Sequence, residues 1–276
     1  MRAVAMRWLS EAAMAVARRF ITLDVLPRHI AIIMDGNRRY AERRRLHRQE
    51  GHRIGFDKLK ELLNWMLDMG ILNISVFAFS IDNFNRSDDE VDALMSLATE
   101  KFKVLLNDLD VVHKYKVKIL VTGRLELLPD EVRTAAQQLM DATREYSNHV
   151  LNICFAYTGS YDIAQAVHRA SSTIDSQHSA STTCREIEGS LLTAGMPAVD
   201  LLLRTSGETR LSDFLMWQSS DAHLVFIDTL WPDLSFWHLA RVIFDFQVNC
   251  AELCAAPHGA GVGRGNVVKG GTIKTE

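Results

Sequence analysis

Cysteine is scarce, with four in 276 residues. That is too few for a disulfide framework and favours a reducing compartment. Long apolar runs are also missing. No window of 18 uncharged apolar residues occurs, so no segment reads as a membrane-spanning helix. Internal repeats are absent. With 47% hydrophobic and 24% charged residues, the composition excludes collagen, a coiled-coil rod and wholesale disorder. What is present is enough chain for one large domain or two small ones, with a sizeable core.

The formal net charge of −3 hides an asymmetry. Residues 1–53 carry twelve arginines against five acids, a local net of +7, which leaves −10 for the rest. A local arginine excess suits nucleic acid, an anionic membrane, a phosphorylated small molecule, or simply a solvated face. Residues 3–20, AVAMRWLSEAAMAVARRF, read as an alanine-rich helix that either packs on its own domain or lies on a membrane surface. They do not read well as a targeting peptide, given Glu11 and the lack of serine bias.

After Pro27 the texture changes. Six β-type runs are expected at His29–Met34, Ile71–Phe79, Lys116–Thr122, His149–Ala156, Val199–Leu203 and Leu224–Ile227. Helical patterns lie between most of them, at Ile54–Met69, Asp88–Asp110, Pro129–Tyr146, Tyr161–Ala170 and Ser235–Asn249. Several of the strands are nearly continuous in apolar residues, as strands covered on both faces are. The alternation predicts one α/β domain. Ser171–Thr183 reads as a polar surface loop and Gly259–Glu276 as a disordered, glycine-rich tail. Its GAGVGRG run follows no β-run and is not a dinucleotide fingerprint.

In open α/β sheets ligands gather at the carboxyl ends of strands, and three such ends are chemically loaded. The first strand runs into Asp35-Gly36-Asn37-Arg38-Arg39-Tyr40. Gly36 permits a tight turn, a helix opening at Asn37 would favour an anion, and two arginines offer phosphate donors. An acid among phosphate ligands suits a Mg²⁺ bridge, although Asp35 alone would equally serve as a helix cap. The second end, Ser80-Ile81-Asp82-Asn83-Phe84-Asn85-Arg86, could reach a diphosphate or be a polar turn. The third, Arg204-Thr205-Ser206-Gly207-Glu208-Thr209-Arg210-Leu211-Ser212, offers two arginines six apart beside Gly207 and two serines. Together the three are hard to explain as packing.

HIAIIMDGNRRYA, the GHR at Gly51–Arg53, FAFSIDNFNR, LLLRTSGETRLSDFLMWQ and LWPD resemble the cis-prenyltransferase family, in particular its eukaryotic dehydrodolichyl diphosphate synthase subunits. The likeness covers roughly residues 27–250. It implies a single domain with a six-stranded, mostly parallel sheet flanked by helices and a hydrophobic product tunnel. It also implies condensation of isopentenyl diphosphate with an allylic diphosphate, usually farnesyl diphosphate, with release of pyrophosphate. By the resemblance, Asp35 is the metal-associated catalytic aspartate, with Mg²⁺ as cofactor. Gly36, Asn37, Arg38, Arg39, Arg48 and His52 match the allylic diphosphate pocket. Ser80, Asn83 and Arg86 match residues that bind or position the reacting ends, with Asn83 taken as catalytic. Arg204, Arg210 and Ser212 match the isopentenyl diphosphate site. The base that takes the final proton stays open between Asp35, a neighbouring polar group and the diphosphate itself.

Two departures from the family pattern stand out. His223 occupies the place of a glutamate that helps hold Mg²⁺ in bacterial members, so metal weight falls on Asp35 alone. The terminal Arg-x-Gly of homodimeric members is absent, with only Arg264 nearby. The resemblance therefore implies a heteromer with a Nogo-B-receptor-like subunit, peripheral on the cytosolic face of the endoplasmic reticulum membrane. The expected organisation is an N-terminal helix in residues 1–27, a catalytic domain in 28–250 and a flexible tail in 251–276. A non-catalytic regulatory subunit is the alternative. No nucleic acid partner is expected, because the arginine-rich segment lacks interleaved aromatics.

Three further patterns each carry two readings. Asp88-Asp89-Glu90-Val91-Asp92 fits the DDxxD signature of trans-prenyltransferases, but Ser87 with Glu90 reads as a capping box on a helix start. Cys250, Cys254 and His258 have loose zinc spacing without an evident fourth ligand beyond His238. Val91, Leu94, Met95, Ala98, Phe102, Leu105 and Leu109 form an apolar helical stripe. Core packing explains that stripe, and the resemblance adds that part of it would line the tunnel.

Overall fold

The computed structural model describes residues 25–107, 110–172, 183–255 and 272–273. The expected helix in residues 3–20, the GAGVGRG run, Arg264 and His258 lie outside them. Strands β1 (His29–Ile33), β2 (Asn73–Ser80), β3 (Val117–Thr122), β4 (His149–Tyr157), β5 (Leu201–Arg204) and β6 (His223–Ile227) fall where the β-type runs predict them. A two-residue β7 (Thr272–Ile273) joins the edge, parallel to β6. This corrects the tail expectation at those two positions, because backbone pairing at an open sheet edge needs no apolar pattern. The order is β3-β4-β2-β1-β5-β6-β7, parallel throughout.

The helices are α1 (Asn37–Arg43), α2 (Arg48–Met69), α3 (Asp88–Asn107), α4 (Asp110–Tyr115), α5 (Asp130–Ala142), α6 (Gly159–Ser172), α7 (Cys184–Ser190) and α8 (Phe236–Ala255). Alternate β1 residues serve two cores. Ile30 and Ile32 join the larger cluster with Leu62, Met66, Phe102, Leu139 and Ile243. Ala31 and Ile33 join the smaller one with Tyr157, Leu202 and Phe214. All five β1 residues are buried, as the unbroken apolar run requires.

Two sequence expectations change. α2 begins six residues before the periodic pattern does. Gly51 and Gly55 weaken the helical signal, but a methyl group at either would overlap Asn37 of α1. The missing side chains let the two helices meet at backbone distance. The Ser87–Glu90 capping box also gives way. The Ser87 carbonyl accepts from Glu90 and Val91 N–H (2.9 and 3.0 Å), while the Glu90 carboxylate turns to Arg86 (2.7 Å). A charge-assisted pair outweighs a bond to one amide.

β1 connects to β2 on one side and pairs with β5 on the other. The chain therefore reverses its direction of travel across the sheet between β1 and β5, which opens a crevice beyond their carboxyl ends. Asp35 and Arg204 stand there.

Candidate active site

A cavity of about 810 Å³ opens above β1, β2 and β5. Its polar wall takes in Asp35, Gly36, Asn37, Arg38, Arg39, His52, Ser80, Asn83, Arg86, Arg204, Arg210 and Ser212. Residues from three distant stretches of sequence are thus brought together. Its inner wall is apolar, with Phe56, Leu59, Leu94, Ala98, Phe102 and Phe155 among its residues. The α3 stripe therefore divides its duty, since Ala98, Phe102 and Leu105 are both core and cavity lining.

Arg48 is placed elsewhere. It heads α2, pairs with Glu42 at 3.6 Å, and lines an adjoining groove of about 460 Å³ that shares His52, Leu94 and Leu97 with the main cavity. His223 is also remote. Register puts it level with Leu201 and Ile30, at the amino end of the sheet. At about 3.3 Å per residue that is roughly 16 Å along the strands from Asp35. Its Nε2 pairs with Asp245 of α8 at 2.7 Å.

The two principal clusters interlock. Arg204, almost fully buried, donates Nη2–H to Asp35 Oδ2 at 2.8 Å. Its Nη1 donates to Ser212 Oγ (2.8 Å) and to the Arg210 carbonyl. Its Nε has no hydrogen-bond partner among the described residues. Arg39 donates to the Ser206 carbonyl at 3.0 Å and lies 3.8 Å from Asp35 and 3.5 Å from Glu208. Glu208 also pairs with Arg210. Burial alone would raise the Asp35 pKa. The Arg204 hydrogen bond and charge, helped by Ser206 and Arg39, outweigh it and hold the carboxyl below its ordinary value.

Backbone geometry around the crevice is special. Gly36 has φ +109, and a side chain there would press on Leu230. Ser206 and Gly207 have φ 80 and 77, which lets their N–H groups reach the Thr229 and Ile227 carbonyls at 2.8 and 2.9 Å. The second strand end folds as a short 3₁₀ turn, Ile81–Asn85, with a capping box between Ser80 and Asn83. Ser80 Oγ and Asn83 Oδ1 are committed as acceptors to that turn, which leaves the hydroxyl proton and the amide N–H groups as donors. Glu90 gathers Arg86 at 2.7 Å and Arg38 at 3.8 Å. His52 is pushed down to about 4, first by desolvation and then by Arg86 and Arg38, against the opposing pull of Glu90.

Glu208 and Glu90 were missed in the sequence. Glu208 stands between the two arginines of its motif, and Glu90 lies four residues after Arg86, the spacing of a helical ion pair. Both signals were legible.

Five arginines, Arg38, Arg39, Arg86, Arg204 and Arg210, share the polar wall of a cavity whose inner wall is apolar. Such an arrangement suits a molecule with an anionic head and an apolar body. The comparisons make the family explicit. The family model described as putative undecaprenyl diphosphate synthase matches residues 33–252, and the chain belongs to that prenyltransferase family. It is 44% identical to the dehydrodolichyl diphosphate synthase complex subunit of Homo sapiens over 90% of this chain and 76% of that one. It is 42% identical to a tritrans,polycis-undecaprenyl-diphosphate synthase of Pyrococcus horikoshii, over 81% and 85%. Lavandulyl diphosphate synthase from Lavandula x intermedia, solved with dimethylallyl diphosphate, superposes with a TM-score of 0.74 at 28% identity, covering 80% and 95%. The protein is a cis-prenyltransferase and performs cis-prenyl chain elongation.

Proposed function

We propose that the chain condenses isopentenyl diphosphate with an allylic diphosphate, farnesyl diphosphate by preference, to give a polyprenyl diphosphate of the dehydrodolichyl type. The observation that carries this reading is a cavity lined by arginines on one wall and by phenylalanines and leucines on another. Arg38, Arg39, Arg86 and His52 hold the allylic diphosphate, where negative charge builds as the C–O bond breaks. Arg204, Arg210 and Ser212 clamp the second diphosphate, keeping a weak alkene nucleophile beside the allylic carbon. The apolar interior takes the lengthening hydrocarbon.

Mg²⁺ fits the donors. Among the described residues no group of three His, Cys, Asp or Glu side chains converges. Mg²⁺ characteristically takes one or two carboxylates and completes its shell with substrate phosphates and water. Asp35, held ionised, would supply the carboxylate. The ion would neutralise developing diphosphate charge.

We further infer a heteromeric enzyme, active with a Nogo-B-receptor-like subunit and peripheral on the cytosolic face of the endoplasmic reticulum. The human relative's description as a complex subunit supports the first part. No described helix is long and apolar enough to cross a membrane. The test is chromatography of products from radiolabelled isopentenyl diphosphate and farnesyl diphosphate, with the chain alone and with the partner. Elongated labelled products that vanish with Asp35→Asn are expected. No product in either mixture would favour a non-catalytic regulatory subunit.

A further inference from the structure

The loop after β5 carries Arg210 and Ser212, and it also fixes Arg204 through the Ser212 hydroxyl and the Arg210 carbonyl. That loop is bent in an unusual way. Ser212 and Asp213 are consecutive non-glycine residues with φ 51 and 58, and Leu215 follows with φ 46. Left-handed backbone is disfavoured for residues with a Cβ and persists only where the surroundings over-determine it. The nearest tie is Asp213 itself. Its Oδ1 accepts from Ser160 N–H at 2.9 Å and its carbonyl accepts from Gly159 N–H. Both donors open α6, a 14-residue helix whose amino end favours a carboxylate. The approach is close enough that a Cβ on Gly159 would lie 3.1 Å from Asp213 Oδ1. Flanking anchors are Leu211, packed on the smaller core, Phe214, stacked on Phe77 at 4.6 Å, and Gln218, bonded to Asp162 and Thr193.

Ser212 lines the cavity and Asp213 does not. We infer that Asp213 is a positioning residue. Its carboxylate, tied to the start of α6, holds Ser212 in the left-handed conformation that aims the hydroxyl and the Arg210 carbonyl at Arg204, and so shapes the isopentenyl diphosphate clamp without touching substrate. The inference rests on the proposed assignment of that clamp.

Three variants separate the tie from the backbone strain. Asp213→Asn keeps an oxygen acceptor and tolerates positive φ. Asp213→Gly relieves the strain and removes the tie. Asp213→Ala removes the tie and adds strain. With the full chain and its partner, Ala and Gly are expected to raise KM for isopentenyl diphosphate at least tenfold. KM for farnesyl diphosphate should stay within twofold, and Asn should stay within threefold of wild type for both. Calorimetric titration of isopentenyl diphosphate into the chain should give the same order of affinity loss without turnover. A Gly variant as good as wild type would overturn the role of the tie. An Asn variant as poor as Ala would overturn the geometric account in favour of charge. Equal KM changes for both substrates would mean general loosening of the fold. A wild-type chain that neither binds nor consumes isopentenyl diphosphate would remove the clamp assignment, and this inference with it.

Discussion

Arg204 and Arg210 stand six residues apart in one motif, but the fold treats them oppositely. The Arg204 side chain is 4% exposed and that of Arg210 is 65% exposed. Arg204→Ala strands Asp35 beside a buried void, and removing one partner of a buried pair costs about 3–5 kcal/mol, less where the other stays partly wet. Asp35 is such a case, at 31% exposed. Arg204→Ala should lower the melting temperature by several degrees, and Arg210→Ala should leave it unchanged. Both should raise KM for isopentenyl diphosphate roughly tenfold or more, the worth of a charge-assisted hydrogen bond. A thermally silent Arg204→Ala would contradict the buried pair. His52 carries a pH signature. Its pKa falls from 6.5 in the unfolded chain to about 4 in the fold. Between those values the unfolded state binds the extra proton, so stability rises with pH across that window and is lost as pH falls through it. The full span is on the order of 3 kcal/mol. Denaturant titrations from pH 4 to 7 should show a shallower slope in His52→Asn than in wild type. An unchanged slope would place the acid sensitivity elsewhere, for instance at buried His29, which is also lowered.

At the scale of elements, the contact between α1 and α2 is the most exacting. Gly51 is buried against the Asn37 carbonyl, and its position admits no methyl. Gly51→Ala must push α2 away from α1, at the roughly 1–3 kcal/mol typical of overpacking. Because α1 carries Arg38 and Arg39, the same change should raise KM for the allylic diphosphate more than for isopentenyl diphosphate. Gly70, which closes α2 with φ 92 and open space around it, lies outside the cavity and the groove described above, so Gly70→Ala should cost stability without that KM asymmetry. These glycines also show where legibility ended. The strands were readable because apolar runs and polar ends bracket them. The first turns of α2 were not, since glycine lowers local helical preference and only the facing helix explains it. The short α7 was likewise hidden behind a serine- and threonine-rich stretch, although Thr183 and Glu186 form its capping box.

For the molecule as a whole, the prediction concerns company. The isolated chain should turn over near background, and the partner subunit should raise the rate by a hundredfold or more if it adds one cation to the diphosphate site, a few kcal/mol of transition-state stabilisation. Deleting residues 1–22 should move the protein from the membrane to the soluble fraction without altering the stimulated rate. Full activity of the chain alone would reject the heteromer. Unchanged fractionation would assign the membrane contact to the partner.

Chain order and residue chemistry by themselves determined the alternating α/β plan, the three loaded strand ends and the family likeness, because each is written in contiguous stretches. Tertiary structure decided what those stretches do to one another. Asp35 and Arg204 lie 169 residues apart and meet at 2.8 Å because β1 and β5 are neighbours across the point where the sheet reverses. Arg48 left the main cavity for the adjoining groove and His223 went to the opposite end of the sheet, since helix orientation and strand register, not motif membership, set where a side chain stands. Glu90 exchanged a helix cap for two arginines, Arg86 at local helical spacing and Arg38 from α1, and Asp213 became a brace for Ser212 because the fold brings the start of α6 against it.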